Sequence, residues 1–377
     1  MTDSPYKKRL DLFRSRLREK TPCDAAWISE PHNRRYLSGF RADDPQINES
    51  SGSLLIDATR CLLLTDSRYI VQAQDEAPDF EIIEVKNGVH TLLPSLLLEM
   101  GTGLLGFEED QVTWGLHHKV SLALDGKISG GLSPMGGLVE AMREVKDSDE
   151  IAAMEASGKL IASIVNELIE NLKPGLTERK VAWMMEGMAA EAGADGVAFP
   201  PIVASGSNGA LPHAVPADRR LQPGEPIVLD MGVRLNGYCS DMTRTVFLGE
   251  AEPEFRKVYS IVRKSQLAGL KEVRPGVRSD LPDAVARRII ADAGYGPFFG
   301  HALGHGVGLA THEGPRLSPL RPVTLEEGMV VTVEPGIYLP GKGGVRLEEM
   351  VLIEAGGARI LTPEAHYHDF REQGAAP

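Results

Sequence analysis

Two aspartates beside one tight turn are the residues best placed to do chemistry. Asp230 and Asp241 flank Asn236-Gly237, and Asn-Gly favours a two-residue type I′ hairpin turn because both positions need positive φ. Pairing outward from this turn sets Gly232 opposite Asp241 and predicts that the two aspartates are diagonal neighbours on one sheet face. Two carboxylates held so close share either a proton or a metal ion. A three-residue turn would place them on opposite faces.

A repeat in the second half of the chain supplies another carboxylate. Two motifs recur at a nearly constant interval: 172–176 as 273–277, and 221–232 as 325–336. The second pair aligns Asp230 with Glu334, and a predicted helix follows the first motif in both copies. Two equivalent strand ends, each with an acid, would then face one another across a pseudo-twofold axis.

A further acid stands at the start of a predicted strand. Glu348 precedes a run that is apolar from Met350 onward, and an acid there is costly to bury unless it is ionised against a cation. The alternative is an exposed strand end, which strand alternation makes a better description of Glu349 than of Glu348.

Histidines form a second cluster. His301, His305 and His312 lie in one short stretch together with several glycines. So much glycine argues against a helix and favours a loop or irregular strand in which the backbone approaches another group closely. His213, in a loop rich in turn residues, is a fourth candidate.

The candidate donors are two Asp, two Glu and one His. Such a set suits Mn²⁺, Fe²⁺ or Co²⁺ better than a thiolate zinc centre. Two divalent ions would neutralise the four carboxylates, and a metal pair ~3.5–4 Å apart can hold a bridging hydroxide and polarise a carbonyl. The chemistry predicted is hydrolysis of an unactivated acyl bond.

The elements around these residues predict two domains. Short apolar runs alternate with helical patterns over the first ~140 residues, which is typical of an α/β layer. The glycine-rich segment 129–137 is interpreted as a linker. Asp147 and Glu150 then form a capping box for a long helix.

Composition restricts the function classes. The net charge of −13, from 53 acidic and 40 basic residues, disfavours nucleic acid or an anionic membrane as the main partner. No apolar run is long enough to span a bilayer, and the N-terminus lacks the apolar core of a secretory signal. Three widely spaced cysteines fit a reducing cytoplasm, so a cytoplasmic protein is expected.

Five motifs in the second half resemble those of the pita-bread metallopeptidases, and above all the Xaa-Pro peptidases, prolidase and aminopeptidase P. These motifs are 202–206 with 212–213, then 229–245, 304–313, 333–338 and 345–348. The segments 33–40 and 65–69 resemble the smaller first domain of the same family.

This resemblance implies an α+β fold in two parts. Residues 141–377 would form a catalytic pita-bread (creatinase/aminopeptidase) domain with a pseudo-twofold repeat and an antiparallel sheet. Residues 1–140 would form a smaller α/β domain of the creatinase N-terminal, ribonuclease H-like type. A homodimer is also implied.

The resemblance further implies a ligand set for two divalent ions, with Mn²⁺ expected and Co²⁺, Fe²⁺ and Zn²⁺ as alternatives. The ligands would be Asp230, Asp241, His305, Glu334 and Glu348. Asp241 and Glu348 would bridge the ions, and Glu334 would also help to activate the nucleophilic water.

Other residues are implied in substrate handling. His213 and His312 would stabilise the scissile carbonyl and its oxyanion, and His301 would line the proline side. Arg346 would supply a fixed charge beside the metals, and Arg316 would approach the substrate carboxylate. The substrates implied are dipeptides or short peptides with proline in second position.

Other functions share part of this pattern. Methionine aminopeptidase has similar ligands but usually lacks the leading domain, whereas creatinase-like amidinohydrolases share both domains but not the five ligands. A non-catalytic pita-bread protein that binds peptides is a third alternative, although such proteins lose ligands.

Overall fold

The computed structural model describes residues 4–43, 46, 49–363 and 367–370. The chain divides into two compact units, Met1–Arg143 and Glu144–Pro377; the sequence alone suggested a boundary after residue 140. None of the helices in the described part of the chain combines the length and apolar character that a membrane span requires.

The first unit is built on one six-stranded sheet. Its strands are β1 (Ala25–Ile28), β2 (Ser53–Asp57), β3 (Cys61–Thr65), β4 (Glu81–Glu84), β5 (Leu104–Phe107) and β6 (Gly131–Pro134). Its helices are α1 (Pro5–Lys20), α2 (Pro31–Ser38), α3 (Ile70–Glu76), α4 (Val89–Met100), α5 (Trp114–Leu124) and α6 (Leu138–Arg143). The strand order is β4-β3-β2-β1-β5-β6, and only β2 runs antiparallel to its neighbours.

This mixed sheet confirms the predicted α/β layer. Apolar side chains of β1, β2, β3 and β5 pack against α4 and α5 to form its core. The prediction of a linker at 129–137 is wrong for residues 131–134, because Gly131–Pro134 pairs in parallel with β5 as the edge strand β6. Glycine and proline are tolerated there because an edge strand leaves one side of its backbone unpaired.

The second unit contains four long helices and thirteen short strands among the residues described. The helices are α7 (Ser148–Asn171), α8 (Glu178–Glu191), α9 (Pro253–Glu272) and α10 (Asp280–Asp292). The first strands are β7 (Gly196–Val197), β8 (Ile202–Ser205), β9 (Pro226–Met231), β10 (Val233–Leu235), β11 (Tyr238–Cys239) and β12 (Met242–Phe247). The later strands are β13 (Gly304–Gly306), β14 (Glu313–Leu317), β15 (Val330–Val333), β16 (Gly336–Leu339), β17 (Gly343–Arg346), β18 (Glu349–Glu354) and β19 (Gly357–Ile360).

The repeat predicted from the sequence is present in the hydrogen bonds. The Gly175 amide donates to the Leu221 carbonyl at 3.0 Å, and the Gly276 amide donates to the Leu325 carbonyl at 2.8 Å. In the first half β9 pairs with β8 and β12, and in the second half β15 pairs with β13 and β18, all antiparallel. Each half has its own apolar core. The predicted Asp147–Glu150 capping box opens α7.

The hairpin has the predicted register. Asn236 and Gly237 have φ of 51° and 81°, Leu235 pairs with Tyr238, and Thr243 pairs with Asp230. The two-residue turn is therefore confirmed, and the alternative that separated the aspartates is excluded.

Gly232 interrupts the hairpin at the level of the two aspartates. A Cβ atom at this position would lie 2.0 Å from the Ser240 carbonyl oxygen, which no side chain tolerates. The Ser240 amide donates to the Val233 carbonyl at 2.8 Å, so the close approach is part of the strand pairing. Glycine is therefore required here, because any side chain would clash with the facing backbone.

We predict that Gly232→Ala lowers the free energy of unfolding by about 1–3 kcal/mol, because the methyl group must displace the facing backbone. Gly187→Ala is the matched control, since Gly187 lies in α8 with nothing within 4 Å of its added Cβ. That change should stabilise the protein by about 0.5–1 kcal/mol. Urea unfolding of both variants measures the difference, and equal stability would contradict the steric account.

Candidate metal centre

Five side chains converge from both halves of the second unit. Asp230 lies in β9, Asp241 precedes β12, His305 lies in β13, Glu334 follows β15, and Glu348 precedes β18. Each stands at or beside a strand end, so the two small antiparallel sheets bring their termini together at one site. All five sequence-predicted ligands are thus close to one another.

Distances define the centre of this group. Ligand atoms of Asp241, His305 and Glu348 all lie within 4.8 Å of one another. The His305 Nε2 atom is 3.6 Å from Asp241 Oδ2 and 3.4 Å from Glu334 Oε1. These separations are longer than hydrogen bonds, so there is space between the nitrogen and oxygen atoms that could bind a metal ion.

Thr243 joins the two halves at the site. Its carbonyl accepts the Glu348 amide at 3.1 Å, and its hydroxyl donates to Glu348 Oε2 at 2.7 Å. Because Thr243 pairs with Asp230 across the hairpin, one residue fixes acids from both halves. The predicted strand register contained this information, although the sequence analysis did not assign Thr243 a role.

The carboxylates are destabilised in their charged form. Burial and the neighbouring Asp230 raise the pKa of Glu348 to about 8. Burial and the repulsion of Glu348 raise the pKa of Asp241, and likewise that of Glu334, well above the usual range. The negative charge of these carboxylates is therefore only partly compensated by their surroundings.

Two further observations fit a cation. Asp230 Oδ1 is buried and has no hydrogen-bond partner among the residues described, whereas buried polar atoms are nearly always satisfied. His305 has its pKa lowered to about 4 by burial, so its ring is neutral. Since Nδ1 lies 3.0 Å from the Gly306 carbonyl, Nδ1 carries the proton and Nε2 is free to act as a ligand.

Arg346 supplies the fixed positive charge. Its guanidinium forms an ion pair with Asp230 Oδ2 and donates to the Thr243 hydroxyl at 3.2 Å, the Pro212 carbonyl at 3.1 Å and the Tyr338 hydroxyl at 2.9 Å. One guanidinium cannot balance four carboxylates. Arg346 therefore orients Asp230 and leaves charge for a metal to neutralise.

Tyr338 is a site residue that the sequence analysis missed. Its hydroxyl lies 2.9 Å from His301 Nε2 and 2.9 Å from Arg346, so Tyr338 and Arg346 connect His301 to Asp230. Burial lowers the pKa of His301 to about 4, which makes this ring neutral as well. The signal available in the sequence was that Tyr338 lies two residues after Gly336, on the same face of β16.

The other predicted residues lie nearer to solvent. His312 is exposed, with its ring centroid 4.3 Å from that of His305. His213 is exposed on the loop whose Pro212 carbonyl contacts Arg346, and Arg316 is exposed on β14. Their positions suit contact with a substrate, and their roles stay predictions.

Glu349 corrects one expectation. The sequence analysis favoured an exposed strand end for this residue, but only 2% of Glu349 is exposed. Arg244 Nη2 lies 2.8 Å from its carboxylate, and the hydroxyls of Thr362 and Tyr367 donate to it. A buried guanidinium from β12 thus neutralises Glu349 and keeps it out of the candidate metal centre.

Comparison with known proteins shows two matching family profiles and similar proteins that cover nearly the whole chain. The profile of metallopeptidase family M24 matches residues 152–355, and that of the creatinase/prolidase N-terminal domain matches residues 9–145. A protein named Xaa-Pro dipeptidase from Pyrococcus furiosus is 42% identical over 364 residues, which cover 94% of this chain and 98% of the relative.

Solved structures give the same result. The Xaa-Pro dipeptidase from Bacillus anthracis superimposes with a TM-score of 0.89 at 33% identity, covering 96% of this chain and 99% of that one. The X-Pro aminopeptidase from Thermotoga maritima superimposes with a TM-score of 0.83 at 38% identity, covering 94% and 98%.

The raised pKa values predict how pH affects the stability of metal-free protein. Glu348 holds its proton up to pH about 8 when folded, against 4.5 when unfolded. Between these values the folded state binds more protons, so stability should fall as pH rises. Urea midpoints in EDTA between pH 5 and 8 measure this. Asp241→Asn removes a second carboxyl group whose pKa is raised in the folded protein and should flatten the slope, so identical slopes in both proteins would contradict the assignment.

Proposed function

The chain belongs to metallopeptidase family M24, and from this membership we propose that it is a metal-dependent exopeptidase that cleaves Xaa-Pro bonds. Its substrates would be dipeptides or short peptides with proline in second position. The supporting observation in the structure is the buried acidic cluster, with an unpartnered Asp230 oxygen beside a neutral His305. The naming of similar full-length proteins as Xaa-Pro dipeptidase and X-Pro aminopeptidase supports the substrate class.

The proposed cofactor is a pair of divalent ions, with Mn²⁺ favoured by the oxygen-rich donor set. The ligands would be Asp230, Asp241, His305, Glu334 and Glu348, with Asp241 and Glu348 shared between the ions. When bound, such ions lower the pKa of water and polarise a carbonyl.

The protein's own residues would then handle protons and charge. Glu334 is the proposed acceptor for the proton of the attacking water, with its carboxylate oriented by the Thr332 hydroxyl at 3.3 Å. His213 and His312, both exposed beside the site, would donate hydrogen bonds to the carbonyl oxygen as it becomes an oxyanion. Because both can rotate toward solvent, substrate binding would fix their orientation.

Recognition of proline requires a surface rather than a hydrogen bond. The imide nitrogen carries no hydrogen and the ring fixes φ, so proline cannot pair with an extended strand as other residues do. The neutral His301 ring beside Tyr338 is proposed to face the proline side, and Arg316 to attract the free carboxylate of a dipeptide. Arg346 would hold Asp230 throughout the reaction.

Two observations separate this proposal from its alternatives. The N-terminal domain profile covers residues 9–145, a segment that methionine aminopeptidase usually lacks. The five ligand positions are also intact, which favours an enzyme over a peptide-binding protein without activity. The cytoplasmic location and the homodimer belong to the same proposal and rest on the three widely spaced cysteines and on the resemblance.

Metal content and turnover test the residue assignments. We expect Asp241→Ala and Glu348→Ala to lose both bound Mn²⁺ and activity on Ala-Pro, because each removes a shared ligand. His213→Ala should keep its metal while kcat falls by about 10²–10³, the usual loss for one oxyanion-stabilising group. Asp292→Ala, at an exposed position of α10, is the control. Equal metal loss in His213→Ala would contradict its assigned role.

A substrate series decides the subclass. We expect the Mn²⁺-loaded enzyme to cleave Ala-Pro faster than Ala-Pro-Ala and longer peptides, because Arg316 suits a carboxylate directly after proline. Arg316→Gln should raise KM for Ala-Pro more than for Ala-Pro-Ala. Faster cleavage of the longer peptides, with no selective effect of Arg316→Gln, would instead indicate an aminopeptidase P. Product analysis by mass spectrometry distinguishes the outcomes.

A further inference from the structure

A buried carboxylate anchors the loop that carries His213. Glu178, the first residue of α8, has 0% of its surface exposed. It accepts four hydrogen bonds, and all four donors belong to the segment 205–217. The donors are the Ser205 amide at 2.7 Å, the Ser205 hydroxyl at 2.8 Å, the Asn208 side-chain amide at 2.8 Å and the Ala217 amide at 3.0 Å.

These contacts close the loop at both ends. Ser205 is the last residue of β8, where the loop begins, and Ala217 lies on the returning segment. The Glu178 amide also donates to the Arg219 carbonyl at 3.0 Å. One side chain therefore fixes the separation of the two loop ends, and the position of His213 between them depends on that separation.

A second anchor lies beside His213 itself. The Pro212 carbonyl accepts from Arg346 at 3.1 Å, and Arg346 also pairs with Asp230. The loop is thus held to the metal-ligand side by Arg346 and to α8 by Glu178. Because His213 is exposed, the position of its ring depends on these contacts to the loop around it.

The carboxylate form is required for this arrangement. Each oxygen of Glu178 accepts two donors, and an ionised carboxylate can accept all four. The N-terminal end of α8 also favours negative charge at this position. A glutamine of the same size would set its NH2 group against a backbone N–H in either orientation, that of Ser205 or that of Ala217.

We infer that Glu178 is a positioning residue for His213, and that it sets the rate of the chemical step without touching substrate or metal. This inference rests on the proposed function. Misplacement of a reacting group by about 1 Å can cost about 10²-fold in rate, so a loosened loop should lower kcat. The metal ligands lie on other segments and should keep their ions.

The experiment uses the full-length, Mn²⁺-loaded enzyme with Ala-Pro as substrate. Glu178→Gln is compared with Glu186→Gln, which makes the same charge change at an exposed position of α8. Asn208→Ala removes one of the four donors without altering Glu178. His213→Ala and the double variant Glu178→Gln/His213→Ala complete a cycle, and metal content is measured for every protein.

We expect Glu178→Gln to lower kcat by about 10-fold or more at unchanged metal content, with Asn208→Ala showing a smaller loss and Glu186→Gln none. In the His213→Ala background, Glu178→Gln should cost less than about 3-fold, because residues that act through one another are not additive. The inference would be overturned if the double variant lost kcat by the product of the two single fold-losses. It would also be overturned if Glu178→Gln had the same kcat as Glu186→Gln.

Hydrogen exchange gives a readout that does not need activity. Amides of the segment 206–217 should exchange at least about 10-fold faster in Glu178→Gln than in Glu186→Gln, while those of β9 stay protected. Unchanged exchange in the loop would overturn the inference even if the enzyme cleaves Ala-Pro. Absence of Xaa-Pro cleavage in the unaltered protein would count against the proposed function, and the exchange result would still decide the role of Glu178.

Discussion

The close packing of four carboxylates, three of them buried, around one neutral imidazole is the constraint on which the rest of this structure depends. Two unit charges 4 Å apart repel by about 4 kcal/mol at an effective dielectric constant of 20, and ligand oxygens of Asp241 and Glu348 lie within 4.8 Å of one another. Arg346 forms an ion pair with Asp230, whereas Arg244 donates to the backbone carbonyl of Glu348 and pairs with Glu349. The burial and mutual repulsion that raise the pKa of Asp241, Glu334 and Glu348 express the same imbalance, which divalent cations would remove.

The fold makes this arrangement by duplication. Each half contributes a strand end with an acid and a loop with a histidine, and each loop is held by a buried acid on the helix before it. Glu178 of α8 anchors the His213 loop. In the second half, Asp283 of α10 accepts the Leu303 amide at 2.9 Å and pairs with Arg287, which donates to the His301 carbonyl at 2.6 Å. Both histidine loops therefore depend on acids outside the cluster.

The parts of the site that depend on local turn geometry and on the internal repeat could be predicted from the sequence. The Asn236-Gly237 turn determines the register of Asp230 against Thr243, and the repeat identifies Glu334 as the counterpart of Asp230. Burial of Glu349 could not be predicted, because its partner Arg244 lies in another strand and alternation says nothing about a distant charge. Edge strand β6 was missed since its residues have weak strand propensity, and only pairing with β5 makes them a strand. Tyr338 acquires its role solely through Arg346 and His301.

Titration of the metal-free protein with Mn²⁺, followed by electron paramagnetic resonance, examines the acidic cluster most directly. The account predicts that two ions bind per chain and that their spectra show the magnetic coupling of a pair sharing carboxylate ligands. Replacement of Asp241 should abolish that coupling. A protein that binds no stoichiometric Mn²⁺, Co²⁺, Fe²⁺ or Zn²⁺ would contradict the assignment of these carboxylates as a metal centre.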